Sequence, residues 1–200
     1  MFTSYKPHKM IKKSRFRDFF AFLSNKQKNE LFIKMDKLII ENKEYVDKQN
    51  YGYLCNLFTS LALVQLMIEE GKNKDEAEQI VLNAMYDYLM PSVKTMQSLA
   101  KHKWFVPLLK KYMPKKIKHT CGYGWKITFP KTNKDCFTMI THKCIFAEIF
   151  NKYGYPKMTK GFCQVDNLLY DALPNTTFTY AERIGEGGKV CDYSFIRKNK

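Results

Sequence analysis

The chain has 200 residues, of which 45% are hydrophobic and 15% aromatic, and it carries a formal charge of +15. That length and apolar content supply a sizeable core for one large or two small domains and exclude a disordered chain. The charge admits a nucleic-acid partner, yet only Arg15, Arg17, Arg183 and Arg197 offer a bidentate guanidinium, and the lysines are spread out apart from modest clusters at "MIKKSRFR" and "LLKKYMPKKIKH", so no dedicated nucleic-acid role is expected.

The opening residues contain no long apolar run followed by a small-residue cleavage site, and the longest apolar-rich run, "LFTSLALVQLMI", is short for a bilayer span. A cytoplasmic protein with no membrane partner is expected. In that setting the six cysteines, Cys55, Cys121, Cys136, Cys144, Cys163 and Cys191, read as reduced thiols and not as a disulfide framework. The absence of any C-x-x-C pair argues against a zinc ribbon.

Residues 1–25 read as a basic N-terminal arm and 26–120 as a helical region. Leu31, Met35, Leu38 and Ile39 recur at helical intervals, and "GYLCNLFTSLALVQLMIEEG" continues as a long apolar helix stopped by Gly71. Asn73 then caps a third helix, with Glu76 three residues on. Pro91 is expected to close that helix or start the next, and Pro107 to interrupt the one after.

From residue 121 to 200 the texture is α+β. Trp125, Ile127 and Phe129 alternate with Lys126 and Thr128 as in a half-buried strand, "KTNKD" is a turn, and "CFTMITH" is a second strand. "KCIFAEIFNKYG" places Ile145, Phe146, Ile149 and Phe150 on one helical face and Cys144 with Glu148 on another, before Gly154 ends it. "GFCQVDNLLYDAL" makes a second helix, in which Cys163 and Asp166, three residues apart, are surface neighbours at the margin of the apolar sector. The last forty residues read as a hairpin about Gly187 and Gly188, a register that sets Ile184 against Cys191, Tyr180 against Phe195, and Arg183 directly across from Asp192. The expected class is therefore α+β: a helical N-terminal half, then a small antiparallel sheet with two helices and a C-terminal β-hairpin, the whole forming one compact unit.

An ordered set of residues now resembles the L-2-amino-thiazoline-4-carboxylic acid hydrolase family: Cys144, "GYP" at 154–156, "CQVD" at 163–166, "ER" at 182–183, Gly188, and "CDYSF" at 191–195. "SLALVQLMIEEGKNKDEAEQIVLNAM" is similar to the family's helix, glycine turn and helix, so the likeness spans about residues 50 to 196. One departure is Lys157, where an acidic residue is expected after "GYP".

The resemblance implies ring-opening hydrolysis of a cyclic isothiourea such as L-2-amino-thiazoline-4-carboxylate to a carbamoyl derivative of cysteine, by a hydrolase acting on carbon–nitrogen bonds of a small cyclic substrate. Cys163 or Cys191 would be the nucleophile, Asp166 would hold the amidinium or move protons, and Arg183 would clamp the substrate carboxylate with Asp192 orienting it. The hairpin register sends Cys191 and Arg183 to opposite faces, which favours Cys163. Two rivals remain. One is a thiolate-rich metal site of Cys144, Cys163 and Cys191 with Asp166 and His142, for which the short chelate spacing is lacking, so no cofactor or metal is expected. The other is a non-catalytic small-molecule-binding module similar to domains related to 4-vinyl reductases. His8, His102, His119 and His142 stand isolated and receive no catalytic role.

Overall fold

In the computed structural model, which describes residues 5–198, the described chain forms helices α1 (Pro7–Lys13), α2 (Arg17–Ala21), α3 (Asn25–Glu41), α4 (Tyr51–Glu69), α5 (Lys74–Leu99), α6 (Phe105–Thr120), α7 (Ile145–Lys152) and α8 (Pro156–Tyr170). Its strands are β1 (Lys126–Thr128), β2 (Cys136–Lys143), β3 (Thr176–Thr179) and β4 (Cys191–Arg197), in one antiparallel sheet ordered β1-β2-β4-β3. The α+β class and the helical N-terminal half are as the sequence patterns indicate. The chain divides into two compact units, Met1–Tyr88 with Thr120–Tyr123, and Leu89–His119 with Gly124–Lys200.

The first unit is helical throughout. Ser24 starts α3 with a reciprocal capping box, its hydroxyl accepting from the Gln27 N–H while the Gln27 side chain accepts from the Ser24 N–H. Leu31, Met35, Leu38 and Ile39 are buried along one side of α3, as their spacing requires. α4 is apolar around almost its whole circumference because it is enclosed: twelve of its residues, from Leu54 to Met67, are buried. Its 19 residues exceed the apolar run that marks it, and by length and hydropathy alone it is long enough to cross a bilayer, but 67% of its apolar window is buried inside the protein. A Schellman turn ends it, with Lys72 N–H on Met67 C=O, Gly71 N–H on Ile68 C=O, and Gly71 at a φ of 95°. Asn73 then accepts from the Glu76 N–H at 2.8 Å to start α5. Of the segment expected as a basic arm, residues 5–25 hold two short helices, and Met10, Ile11 and Phe16 there are fully buried; residues 1–4 lie outside the described residues.

Both prolines behave differently from the sequence expectation. α5 continues through Pro91, since Val81, Met85 and Leu89 before it and Val93 after it are all buried, and packing on each side outweighs the lost hydrogen bond. Pro107 lies in the first turn of α6, where N–H groups have no intrahelical partner anyway.

In the second unit the core gathers Ala100, Phe105, Val106, Phe137, Leu173, Cys191, Tyr193 and Phe195, drawn from α6, one face of the sheet and the end of α8's loop. Phe146, Phe150 and Phe162 pack α7 on α8, with ring centroids 4.8–6.3 Å apart. α8 begins five residues before the predicted stretch because Pro156 occupies its first turn, where a fixed φ suits helix entry.

The hairpin register differs from the expected one. β3 and β4 do pair antiparallel, but Phe178 faces Phe195 and Thr179 faces Ser194, a shift of two residues. A shift of two preserves which face is apolar, so alternation alone does not distinguish the two registers. The connection is no Gly-Gly turn: it runs from Tyr180 to Val190 and contains a short 3₁₀ turn, Ile184–Glu186. Arg183 is consequently not in a strand, and the expected cross-strand pair with Asp192 is replaced by other partners for both residues.

Candidate active site

Three elements of the second unit converge on Cys191. β4 carries it on the buried face and, two residues on, places Tyr193 on the same face. α8 contributes Cys163, one turn after Thr159, and Asp166 one turn further. The 180–190 connection folds back so that the Ile184 N–H donates to Cys191 Sγ at 3.3 Å. Its next residue, Gly185, lies so close to α8 that a β-carbon there would sit 2.7 Å from Cys163 Sγ and 3.1 Å from Thr159 Cγ2. Only glycine allows that approach.

The thiols of Cys163 and Cys191 are hydrogen-bond partners. Cys191 is lowered to about 7, chiefly because Cys163 donates to it and further because the Ile184 N–H and the Tyr193 hydroxyl do, against the opposing effect of burial. Cys163 is pushed up for the reciprocal reason, its hydrogen bond to Cys191, with burial and the charges of Cys144 and Asp166 adding to it. Of the two, Cys191 is therefore the more readily ionised. Tyr193 is held protonated by burial and by the charges of Asp166 and the two cysteines, with Arg183 opposing. Cys144 sits at the N-terminus of α7, where the Ala147 and Phe146 N–H groups reach its sulfur, yet burial pushes it up to about 12. All six cysteines are free.

Arg183 is 1% exposed, an unusual burial for a guanidinium. Its Nη2 donates to Asn167 Oδ1, its Nη1 lies 3.7 Å from Glu186 Oε1, and its plane covers the Tyr180 ring at 3.5 Å with Tyr193 at 5.4 Å. Its Nε and Nη1 make no hydrogen bond among the described residues, and neither does the buried Thr159 hydroxyl. Asp192 instead accepts from the Ala181 and Glu182 N–H groups at 2.8 and 2.9 Å, fixing where the connection leaves the sheet. Glu182 accepts from the Lys189 N–H at 2.7 Å, closing the far end of the same loop.

Of the residues the sequence singles out, Cys163, Asp166 and Cys191 come together, and Arg183 joins them through Tyr193. The opposition between Cys191 and Arg183 dissolves because the connection, not a strand, carries the arginine. Asn167, Thr159 and Gly185 escape a reading by motif alone, and Tyr193, inside "CDYSF", was given no role. Tyr193 was accessible from strand alternation, being two residues beyond Cys191, and Asn167 from adjacency to Asp166; Gly185 had no local signal. His142 hydrogen-bonds Thr128 Oγ1 at 2.9 Å between β1 and β2. Among the described residues no three His, Cys, Asp or Glu side chains are grouped to hold a metal ion.

No curated protein matches the chain. Two solved structures, the Fe(II) unliganded H-NOX protein from K. algicida and an alanine-to-glycine mutant of it, align over 93% of this chain and 96% of theirs, at 16% and 15% identity and a TM-score of 0.32. The family described as L-2-amino-thiazoline-4-carboxylic acid hydrolase matches residues 54–195, a span that holds Cys144, Cys163, Asp166, Arg183 and Cys191 together. By that match the chain belongs to the L-2-amino-thiazoline-4-carboxylic acid hydrolase family.

Proposed function

We propose that the chain hydrolyses a small cyclic isothiourea bearing a carboxylate, of which L-2-amino-thiazoline-4-carboxylate is the type, with Cys191 as nucleophile and Cys163 as its proton partner. The observation that carries this reading is the meeting of Cys163 and Cys191, with the Ile184 N–H on the Cys191 sulfur at 3.3 Å, beside a buried arginine whose Nε and Nη1 make no hydrogen bond among the described residues. The Cys191 thiolate adds to the amidine carbon, and the new carbon–sulfur bond removes the charge that Cys163 was donating to. The Cys163 proton is thereby released for the leaving group. Of the ring bonds at that carbon, the one to sulfur has the better leaving group, and its rupture leaves an N-carbamoyl cysteine skeleton after water displaces Cys191. Rupture of the ring carbon–nitrogen bond would give the S-carbamoyl isomer instead.

Asp166 would hold the amidinium, and the Arg183 guanidinium, whose Nε and Nη1 make no hydrogen bond among the described residues, would supply charge-assisted donors to the substrate carboxylate. The Thr159 hydroxyl is a further donor near Cys163. The test is mass-spectrometric detection of product from L-2-amino-thiazoline-4-carboxylate by the parent chain, Cys191→Ala and Cys163→Ala. Turnover by the parent, abolished in the first variant and strongly slowed in the second, is expected. Undiminished turnover by Cys191→Ala refutes the assignment of the nucleophile. Saturable binding by the parent without product refutes catalysis and makes the chain a binding module.

A further inference from the structure

The positive charge is concentrated more than a residue count conveys. From Leu89 to Lys134 the sequence has eleven lysines, no arginine and no aspartate or glutamate. α6 lies at the middle of this stretch. Its inner side is ordinary: Phe105, Val106 and Ile117 are buried, and Leu109 and Met113 pack on the core of the second unit. Its outer side is not simply polar. Trp104, immediately before the helix, is 46% exposed, Leu108 36% and Tyr112 50%. At successive intervals of four residues these three fall within about 80° of one another around the helix axis. They form an apolar and aromatic ridge. Exposed Lys111 and Lys115 flank it, and exposed Lys101 and Lys103 precede it.

We propose that this face of α6 docks on an anionic membrane surface, with the helix parallel to the membrane plane. An in-plane helix of this type sets aromatic and aliphatic side chains at the headgroup boundary and lysines toward anionic lipid phosphates, and Trp and Tyr are the residues best suited to that depth. Charge complementarity selects the anionic surface, since the stretch carries eleven lysines and no carboxylate of its own. A single-stranded nucleic acid also takes lysines and aromatics, but it threads grooves and stacks on open ring faces. Here the rings are already engaged: the His102 ring stacks on Trp104 with centroids 5.0 Å apart, and the Lys111 ammonium sits 5.3 Å from the Tyr112 ring. The expectation of no membrane partner rested on the lack of a spanning segment, which a surface helix does not need.

The experiment is co-sedimentation of the full chain with phosphatidylcholine vesicles, with and without about 30% phosphatidylserine. Binding only to the phosphatidylserine vesicles is expected, falling as salt rises from about 0.1 M to about 1 M and the screening length shrinks from about 10 Å to about 3 Å. Lys111→Glu with Lys115→Glu is expected to weaken binding by at least about 30-fold, given the worth of each lysine at such a surface. Trp104→Ser with Tyr112→Ser is expected to abolish the salt-resistant remainder. All four side chains are exposed, and unchanged thermal unfolding checks that the variants fold. No phosphatidylserine-dependent binding, binding indifferent to either variant pair, or tighter capture of an oligothymidylate through the same residues overturns the proposal.

Discussion

Replacing Cys163 by alanine isolates the contribution on which the proposed chemistry depends. Cys191 stands at about 7 against an ordinary value of 9.0, and the first cause is the hydrogen bond it receives from Cys163. Without that donor, only the Ile184 N–H and the Tyr193 hydroxyl oppose burial, so Cys191 returns to its ordinary value or above. At pH 7 its thiolate fraction then drops from about one half to about one in a hundred, and its alkylation rate falls about 50-fold, because the thiolate is the reacting form. The assay is iodoacetamide modification from pH 5 to 10, read at the Cys191 peptide by mass spectrometry so that the other five cysteines do not interfere. In the parent the rate should reach half its maximum near pH 7, with Cys191 modified ahead of Cys163; in Cys163→Ala the midpoint should move up by about two pH units. An unmoved midpoint, or Cys163 reacting first in the parent at neutral pH, would refute the assignment of the charge to Cys191.

Further outcomes follow from the same geometry. Arg183→Gln removes a carboxylate clamp in the proposed reading and should raise KM for the thiazoline carboxylate about 10- to 100-fold, the worth of one or two charge-assisted hydrogen bonds, with a smaller effect on kcat; a fall in thermal stability with KM unchanged would make the residue purely structural. Gly185→Ala puts a methyl 2.7 Å from Cys163 Sγ and should cost about 1–3 kcal/mol in unfolding while also raising the Cys191 alkylation midpoint. Stability should vary with pH in two limbs. Cys191 is lowered on folding, so its contribution is complete above pH 9 and is lost as pH falls through about 7, whereas Cys55 and Cys144, pushed up to about 12 by burial, contribute below pH 9 and lose that contribution between 9 and 12. Tm should therefore rise from pH 7 to 9 and decline beyond, and Cys55→Ala should flatten the alkaline limb; a Tm that declines from pH 7 to 9 would contradict the lowered Cys191.

Local periodicity carried the helices because a helix is specified by neighbours three and four residues apart. Leu31, Met35, Leu38 and Ile39 announce a buried stripe, and that stripe is what α3 buries. The same logic failed at Pro91, where a local breaker signal yields to the burial of Met85 and Leu89 before it and Val93 after it. It failed differently in the hairpin. Alternation has a period of two, so registers offset by two residues satisfy it equally, and a Gly-Gly dipeptide that reads as a tight turn also serves a longer loop. There Gly187 takes a φ of 93° after the 3₁₀ turn, and Gly188, whose β-carbon would meet Arg183 O at 2.8 Å, donates its N–H to that carbonyl.

The consequence reaches the site itself. Had the tight turn formed, Arg183 and Cys191 would lie back to back across a strand pair. The longer connection lifts Arg183 off the sheet, turns its guanidinium over Tyr180 and Tyr193, and aims the Ile184 N–H at Cys191. The residue types of the site were legible because cysteine, aspartate and arginine carry their chemistry wherever they stand. Which sulfur bears the charge was not legible, because it is decided by who donates to whom. That order is set by two donors the sequence gives no reason to bring together: a backbone N–H from the loop and a thiol from α8, which meet at β4 only after glycine at 185 lets loop and helix touch.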